Sequence, residues 1–219
     1  LSSPFSIKAI HFLNDLEMEI FKVPSGEVNN FPYLEELSKI GKPVVLSSGM
    51  SSWDELDQAV EILKTKCDLT ILQCSSIYPC PPELVGLNVL EEIKQKYNCK
   101  IGYSDHTEGV AAPIAAAALG ASVIEKHLTF SKKMYGSDAE NSMEPPDFKK
   151  LTAALREIWI INEHPIDKSD LSNYHSMKLI FEKSIVSSKF IPAGTCIEMH
   201  HLDFKKPGNG ILARDYSSI

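Results

Sequence analysis

The chain has 219 residues, enough to bury a sizeable core as one large domain or as a domain and a half. Its 29 acidic side chains outnumber 22 basic ones, a formal net charge of -7 that argues against nucleic acid or an anionic membrane as a partner, though local lysines and backbone donors can still hold an anionic substrate. No apolar run approaches the ~20 residues of a membrane span, no signal peptide is visible, and the five scattered cysteines (Cys67, Cys74, Cys80, Cys99 and Cys196) form no C-x-x-C pair, as expected of reduced thiols in a cytoplasmic protein.

In chain order, Ile7, Ile10 and Leu13 recur on one helical face. A short apolar run, Phe21 to Val23, then leads to Ser25 and Glu27. The run 44–46 leads to Ser47 and Ser48. Ser52 and Glu55 have capping-box spacing ahead of a helical stripe of Trp53, Leu56, Val60 and Leu63. The run 69–72 leads to Cys74 and Ser75, and 101–103 leads to Ser104 and His106. An alanine-rich helical stretch, 110–119, closes at Gly120. The run 123–124 leads to Glu125 and His127, and after Pro145-Pro146 the stripe Phe148, Leu151, Leu155 and Ile158 marks a last helix.

This alternation predicts a parallel sheet covered by helices. Polar residues at the carboxyl end of every strand predict a (β/α)8 TIM-type barrel, whose active site lies on that face. Five strands are evident, residues 1–5 read as the tail of a sixth, and the first two βα units are expected to be missing. Past residue 161 the pattern changes. Residues 162–183 read as a linker and 184–219 as part of a small β-rich domain, leaving 1–161 as a partial barrel. Leu1 at the start, and the absence of a turn or cap signal over 216–219, predict a fragment or a processed chain.

His106 and His127 are the most telling pair. They stand at equivalent points of consecutive βα units, so a parallel sheet brings them to one face, an arrangement that suits a metal with open positions. The bland alternative is two satisfied polar residues at strand ends.

The motifs together resemble the sialic acid synthase family. The resemblance is carried by Phe21-Lys22-Val23-Pro24-Ser25-Gly26-Glu27, by Gly41 through Met50 (GKPVVLSSGM), and by Leu72-Gln73-Cys74-Ser75-Ser76-Ile77-Tyr78-Pro79. It continues through Gly102-Tyr103-Ser104-Asp105-His106-Thr107, Ala118 through His127 (ALGASVIEKH) and Ser142-Met143-Glu144-Pro145. Lys206-Pro207-Gly208-Asn209-Gly210 resembles the start of that family's antifreeze-like (SAF) domain, with Lys206 where an arginine commonly stands.

The resemblance implies condensation of phosphoenolpyruvate with an N-acetylhexosamine, N-acetylmannosamine or its 6-phosphate, to a sialic acid with release of phosphate. Pseudaminic or legionaminic acid synthesis is an alternative, as is a truncated fragment that binds phosphoenolpyruvate without turnover. It also implies a divalent metal, Mn2+ or else Mg2+ or Co2+, on His106 and His127, and Glu27 as the carboxylate that manages proton transfer. Lys22, Ser25, Ser47, Ser76, Ser104 and Ser3 match anion contacts, and Tyr78 and Asp138 match sugar contacts. Asp105 is expected to brace the loop at His106. Glu125 is expected either to assist in the chemistry or to pair with Lys126 or a neighbouring strand. The full-length protein is expected to be a cytoplasmic homodimer whose small domain covers the partner's barrel mouth.

Overall fold

The structure, a computed structural model, describes residues 1–218. The chain divides into two compact units, Leu1–His164 and Pro165–Ile219, each with its own sheet.

In the first unit, helix α1 (Ile7–Asp15) precedes a regular alternation: β1 (Phe21–Val23), α2 (Phe31–Ile40), β2 (Val44–Ser47), α3 (Trp53–Lys64), β3 (Leu69–Cys74), α4 (Asn88–Tyr97), β4 (Lys100–Asp105), α5 (Ala111–Ala118), β5 (Val123–Lys126) and α6 (Pro145–Glu163). All five expected strands form. They pair in chain order, β1-β2-β3-β4-β5, and every pairing is parallel. Single parallel bridges extend both edges, Ser2 beside Phe21 and Met143 beside Leu128.

Successive strand residues face opposite sides of a sheet, and here the sides differ in chemistry. Phe21, Val23, Val44, Leu46, Leu69, Ile71, Ile101 and Tyr103 point towards the helices and join one core with Ile10, Leu34, Leu37, Leu63, Leu90 and Ile93. The residues between them, Lys22, Val45, Ser47, Leu72, Cys74, Gly102, Ser104 and Glu125, form the other, inner face. Lys22 Nζ on β1 lies 3.2 Å from Glu125 Oε1 on β5. In a flat sheet four strand spacings would hold these strands about 19 Å apart, further than a lysine and a glutamate reach together. The sheet therefore curls around its inner face, as a barrel wall does. Gly102 leaves no room for a side chain on that face: a Cβ there would lie 2.6 Å from Val123 O and 2.3 Å from Leu72 Cδ2.

Two helix ends carry clear local signals. Ser52 and Glu55 close a reciprocal capping box on α3, and Gly41 ends α2 at φ 73°, a conformation that only glycine adopts without strain. Leu151 and Leu155 of α6 are buried with Ala117 and Met143, and Phe148 and Ile158 pack on them. Trp159 Nε1 donates to Ala121 O and Asn162 Nδ2 to Ala117 O, both at 3.0 Å, fastening α6 onto the end of α5. On α1, Ile10 is fully buried but Ile7 is 42% exposed, so only part of the expected stripe enters the core.

The second unit holds helix α7 (His175–Phe181) and an antiparallel pair, β6 (Ser184–Ser187) with β7 (Leu202–Lys205). The stretch 162–183, expected as a linker, thus carries the end of α6, a 3-10 turn at Ser172–Tyr174 and the whole of α7. Ser184 organises the turn after β7: its Oγ donates to Pro207 O and accepts from Gly210 N, both at 2.9 Å. Gly208 packs against Glu182 so closely that a Cβ would meet the Glu182 Cβ at 2.9 Å. Lys206 Nζ sits 4.6 Å from the Phe181 ring centroid, within cation–π range.

Candidate active site

The inner face carries a polar row at the carboxyl ends of three strands. Cys74, Ser104 and Glu125 are register partners across β3, β4 and β5. Ser104 Oγ donates to Glu125 Oε1 at 2.7 Å, and Lys22 reaches the same oxygen from β1. The Lys22 side chain is only 7% exposed, so this carboxylate offsets part of the cost of burying it. Ser47, on β2 between Lys22 and this row, is buried, and among the described residues its Oγ has no hydrogen-bond partner. A buried hydroxyl left unpaired costs ~1–3 kcal/mol.

Beside the row is a cradle with a glycine floor. Gly49 follows β2, and a Cβ on it would lie 2.4 Å from Ser76 Oγ, 2.5 Å from Ser25 Oγ and 2.8 Å from Cys74 Sγ. Three polar side chains converge where a side chain is absent. Gly49 N donates to Ser25 Oγ at 3.1 Å, and Ser25 Oγ lies 3.8 Å from Cys74 Sγ. Ser48 is turned away, its Oγ donating to Leu72 O, and Ser52 caps α3. Both side chains serve local structure, Ser52 as its capping-box spacing implied.

The two histidines come together. Their ring centroids are 5.3 Å apart at 85°, and Tyr78 packs on both, 4.1 Å from His106 and 5.7 Å from His127. His106 is 8% exposed and its Nδ1 lies 2.8 Å from Ser75 O. A carbonyl can only accept, so Nδ1 is the donor in this contact and Nε2 is the ring nitrogen left for another partner. Met143 N donates to His127 O, and His127 Nδ1 lies 3.8 Å from Asp138 Oδ2. Burial first, then the neighbouring Cys74, Asp138 and Glu125, holds the Tyr78 phenol above its ordinary pKa, so it remains a donor at neutral pH.

Two adjacent imidazoles suit a divalent ion with two protein ligands and open positions. Among the described residues no group of three or more His, Cys, Asp or Glu side chains is placed to hold one.

The remaining expected residues, Glu27 and Ser3, flank β1. Glu27 ends a 3-10 turn after β1, and its Oε2 accepts from Asn30 Nδ2 at 2.7 Å. Ser3 is half-buried at the β1 edge, next to the Ser2 bridge. Gly49 and Cys74 belong to the cradle although neither was among the expected site residues. Cys74 was marked by its place at a strand's carboxyl end, whereas the role of Gly49 depends on a contact that no local pattern announces.

A family model described as the NeuB family matches residues 1–166. The chain is 38% identical to the N,N'-diacetyllegionaminic acid synthase of Campylobacter jejuni over 223 residues, which cover all of this chain and 66% of that one. It is 40% identical to the Homo sapiens N-acetylneuraminate-9-phosphate synthase over 199 residues, 90% of this chain and 55% of that one. The chain thus spans less than two thirds of the length of these relatives. Its fold superposes on a crystal structure of an N-acetylneuraminic acid synthetase from Leptospira borgpetersenii serovar Hardjo-bovis, solved with citrate, at a TM-score of 0.74 and 34% identity, covering 80% of this chain and 62% of that one.

Proposed function

The chain belongs to the NeuB family, and on that footing we propose that it forms the catalytic face of a nonulosonic acid synthase, which condenses phosphoenolpyruvate with an N-acetylhexosamine and releases phosphate. The observation that carries the reading is the juxtaposition, on one curled face, of a floored hydroxyl cradle with a buried lysine and a pair of imidazoles. The cradle and lysine suit a small anion; the imidazoles suit the reacting carbonyl.

In this reading Lys22, Ser47 and Ser104 hold the phosphate and carboxylate of phosphoenolpyruvate by charge-assisted hydrogen bonds, with Ser25 and Ser76 completing the cradle and Ser3 at its edge. Tyr78 donates to the open-chain sugar and Asp138 accepts from its hydroxyls. His106 and His127 would hold a divalent cation, Mn2+ before Mg2+ or Co2+, and that ion, when bound, would polarise the sugar aldehyde as a Lewis acid. The enol carbon forms the new carbon–carbon bond, water adds at the carbon that carries phosphate, and collapse expels inorganic phosphate. Glu27 takes the proton from that water. Glu27 can keep the Asn30 bond at Oε2 and take that proton at Oε1.

The sugar is not fixed by these residues. N-acetylmannosamine, its 6-phosphate and the precursors of legionaminic and pseudaminic acids share the aldehyde and the N-acetyl group. Phosphate release measured with phosphoenolpyruvate and each hexosamine in turn, with products identified by mass, tests the proposal. One sugar is expected to support turnover with equal amounts of phosphate and nonulosonic acid. Phosphoenolpyruvate binding without turnover on any sugar would favour a non-catalytic binding fragment, and turnover with pyruvate in place of phosphoenolpyruvate would overturn the donor assignment.

A further inference from the structure

Each histidine is preceded by a charged residue that the proposed chemistry does not use, Asp105 before His106 and Lys126 before His127. Asp105 and Lys126 are register partners and form the last pair of the β4–β5 ladder. They point away from the inner face, with side chains 0% and 4% exposed, and Lys126 Nζ lies 2.5 Å from Asp105 Oδ2. The histidines are the next residue on each strand, where backbone pairing between the two has stopped.

The pair does more than meet. Lys126 Nζ also donates to Thr107 O at 2.7 Å. Asp105 Oδ1 accepts from Thr107 N at 2.9 Å and from Tyr103 OH at 3.0 Å. His106 is therefore enclosed between two residues that are tied to each other and to the residue preceding His127. Its own carbonyl accepts from Cys80 N at 2.8 Å, and its ring is fixed by Ser75 O.

Stability alone gives no reason for this pair, because a buried ion pair can often be replaced by neutral side chains at no loss. Geometry does give one. Where a twisted ladder ends, its strands are free to diverge, and these side-chain bonds take over from the missing backbone bonds at the point where two imidazoles must keep their separation.

We propose that the Asp105–Lys126 pair is a positioning clamp that sets the separation of the His106 and His127 imidazoles, and through it the affinity and coordination geometry of a divalent cation between them. The inference rests on the metal reading of the two histidines.

Co2+ is the probe, because its visible absorption reports coordination geometry independently of activity. In the intact protein, the double variant Asp105→Asn/Lys126→Met removes both charges at nearly constant volume. It is expected to melt no lower than wild type, to bind Co2+ roughly 10- to 100-fold more weakly, the usual scale for residues that orient ligands, and to show a shifted Co2+ spectrum. Lys126→Met alone leaves a buried unpaired carboxylate and is expected to lose stability as well as affinity. Should the double variant not fold, Tyr103→Phe removes one hydrogen bond to Asp105 and no charge, and a loss of roughly 2- to 10-fold is expected from it. Wild-type affinity and spectrum in a folded double variant, or in Tyr103→Phe if that is the variant read, would overturn the clamp. Absence of Co2+ binding by the wild-type protein would overturn the metal reading itself, and the clamp with it.

Discussion

Gly49 has no side chain, and Ser25, Ser76 and Cys74 can converge because of it. Gly49→Ala puts a methyl group inside the cradle. It is expected to weaken inorganic phosphate and phosphoenolpyruvate binding at least tenfold, a lost hydrogen bond to an anion or more, with little change in melting temperature. Calorimetric titration checks this, and unchanged phosphate affinity would remove the cradle from the anion site. Glu27→Gln is expected to keep phosphoenolpyruvate affinity and lower turnover by ~100-fold or more, the scale of a missing acid or base; near-normal turnover would end its assignment. At this scale the sequence was informative about placement at a strand's end, as with His106, His127 and Ser104. It was silent on Gly49, whose role exists only because β1 and β3 bring Ser25 and Ser76 over it. The alternative of Glu125 pairing with Lys126 does not occur: adjacent strand residues face opposite sides, so Glu125 meets Ser104 and Lys22 while Lys126 meets Asp105.

Helices α3 and α4 are joined on their outer side by one carboxylate. Asp57 Oδ2 accepts from Lys96 Nζ at 2.8 Å and its Oδ1 from Tyr97 OH at 2.7 Å. The hydrogen bond from Lys96, then that from Tyr97, holds the Asp57 carboxyl below its ordinary pKa. A depressed folded-state pKa stabilises the fold above the unfolded value, and the gain is lost as pH falls through the folded value. Asp57→Asn is therefore expected to lower stability at pH 7 by less than ~1 kcal/mol, since the pair is largely exposed, and the difference should vanish on acidification below the carboxylate range. Urea denaturation at several pH values measures it, and a difference that persists in acid would show that the two hydrogen bonds do not act through the carboxylate's charge. The elements themselves were legible, because apolar runs and caps are local. Register was not: nothing in the residues 100–126 says that Asp105 lies opposite Lys126 rather than one position away. Helix α7 was missed for a related reason, being short and set in a polar stretch whose composition suits a linker.

For the molecule as a whole, the parallel order of five strands followed from the alternation of apolar runs and helical stripes, and the curl did not. Curvature shows in the contact between the first and fifth strands, which depends on distances no periodicity encodes. By resemblance to its family the full-length protein is expected to be a homodimer in which the second unit serves the partner's site. Sedimentation should give a dimer, and deleting residues 184–219 should reduce turnover more than it reduces phosphoenolpyruvate affinity. A monomer with full activity after that deletion would rule the arrangement out.

The contact between Lys22 and Glu125 has a thermodynamic consequence. The ammonium is already neutralised by an internal counter-ion, so an arriving anion does not fill an empty electrostatic well. It displaces a carboxylate or shares the cation with it, and the measured affinity is that of an exchange. Such a site is held in reserve for multiply charged ligands, which outcompete a single carboxylate, while chloride or acetate does not. Glu125→Gln should abolish that discrimination. Inorganic phosphate and simple monoanions alike are expected to bind the variant more tightly than wild type, and competition titrations with chloride would show it; unchanged monoanion binding would mean that Glu125 does not act as the stand-in.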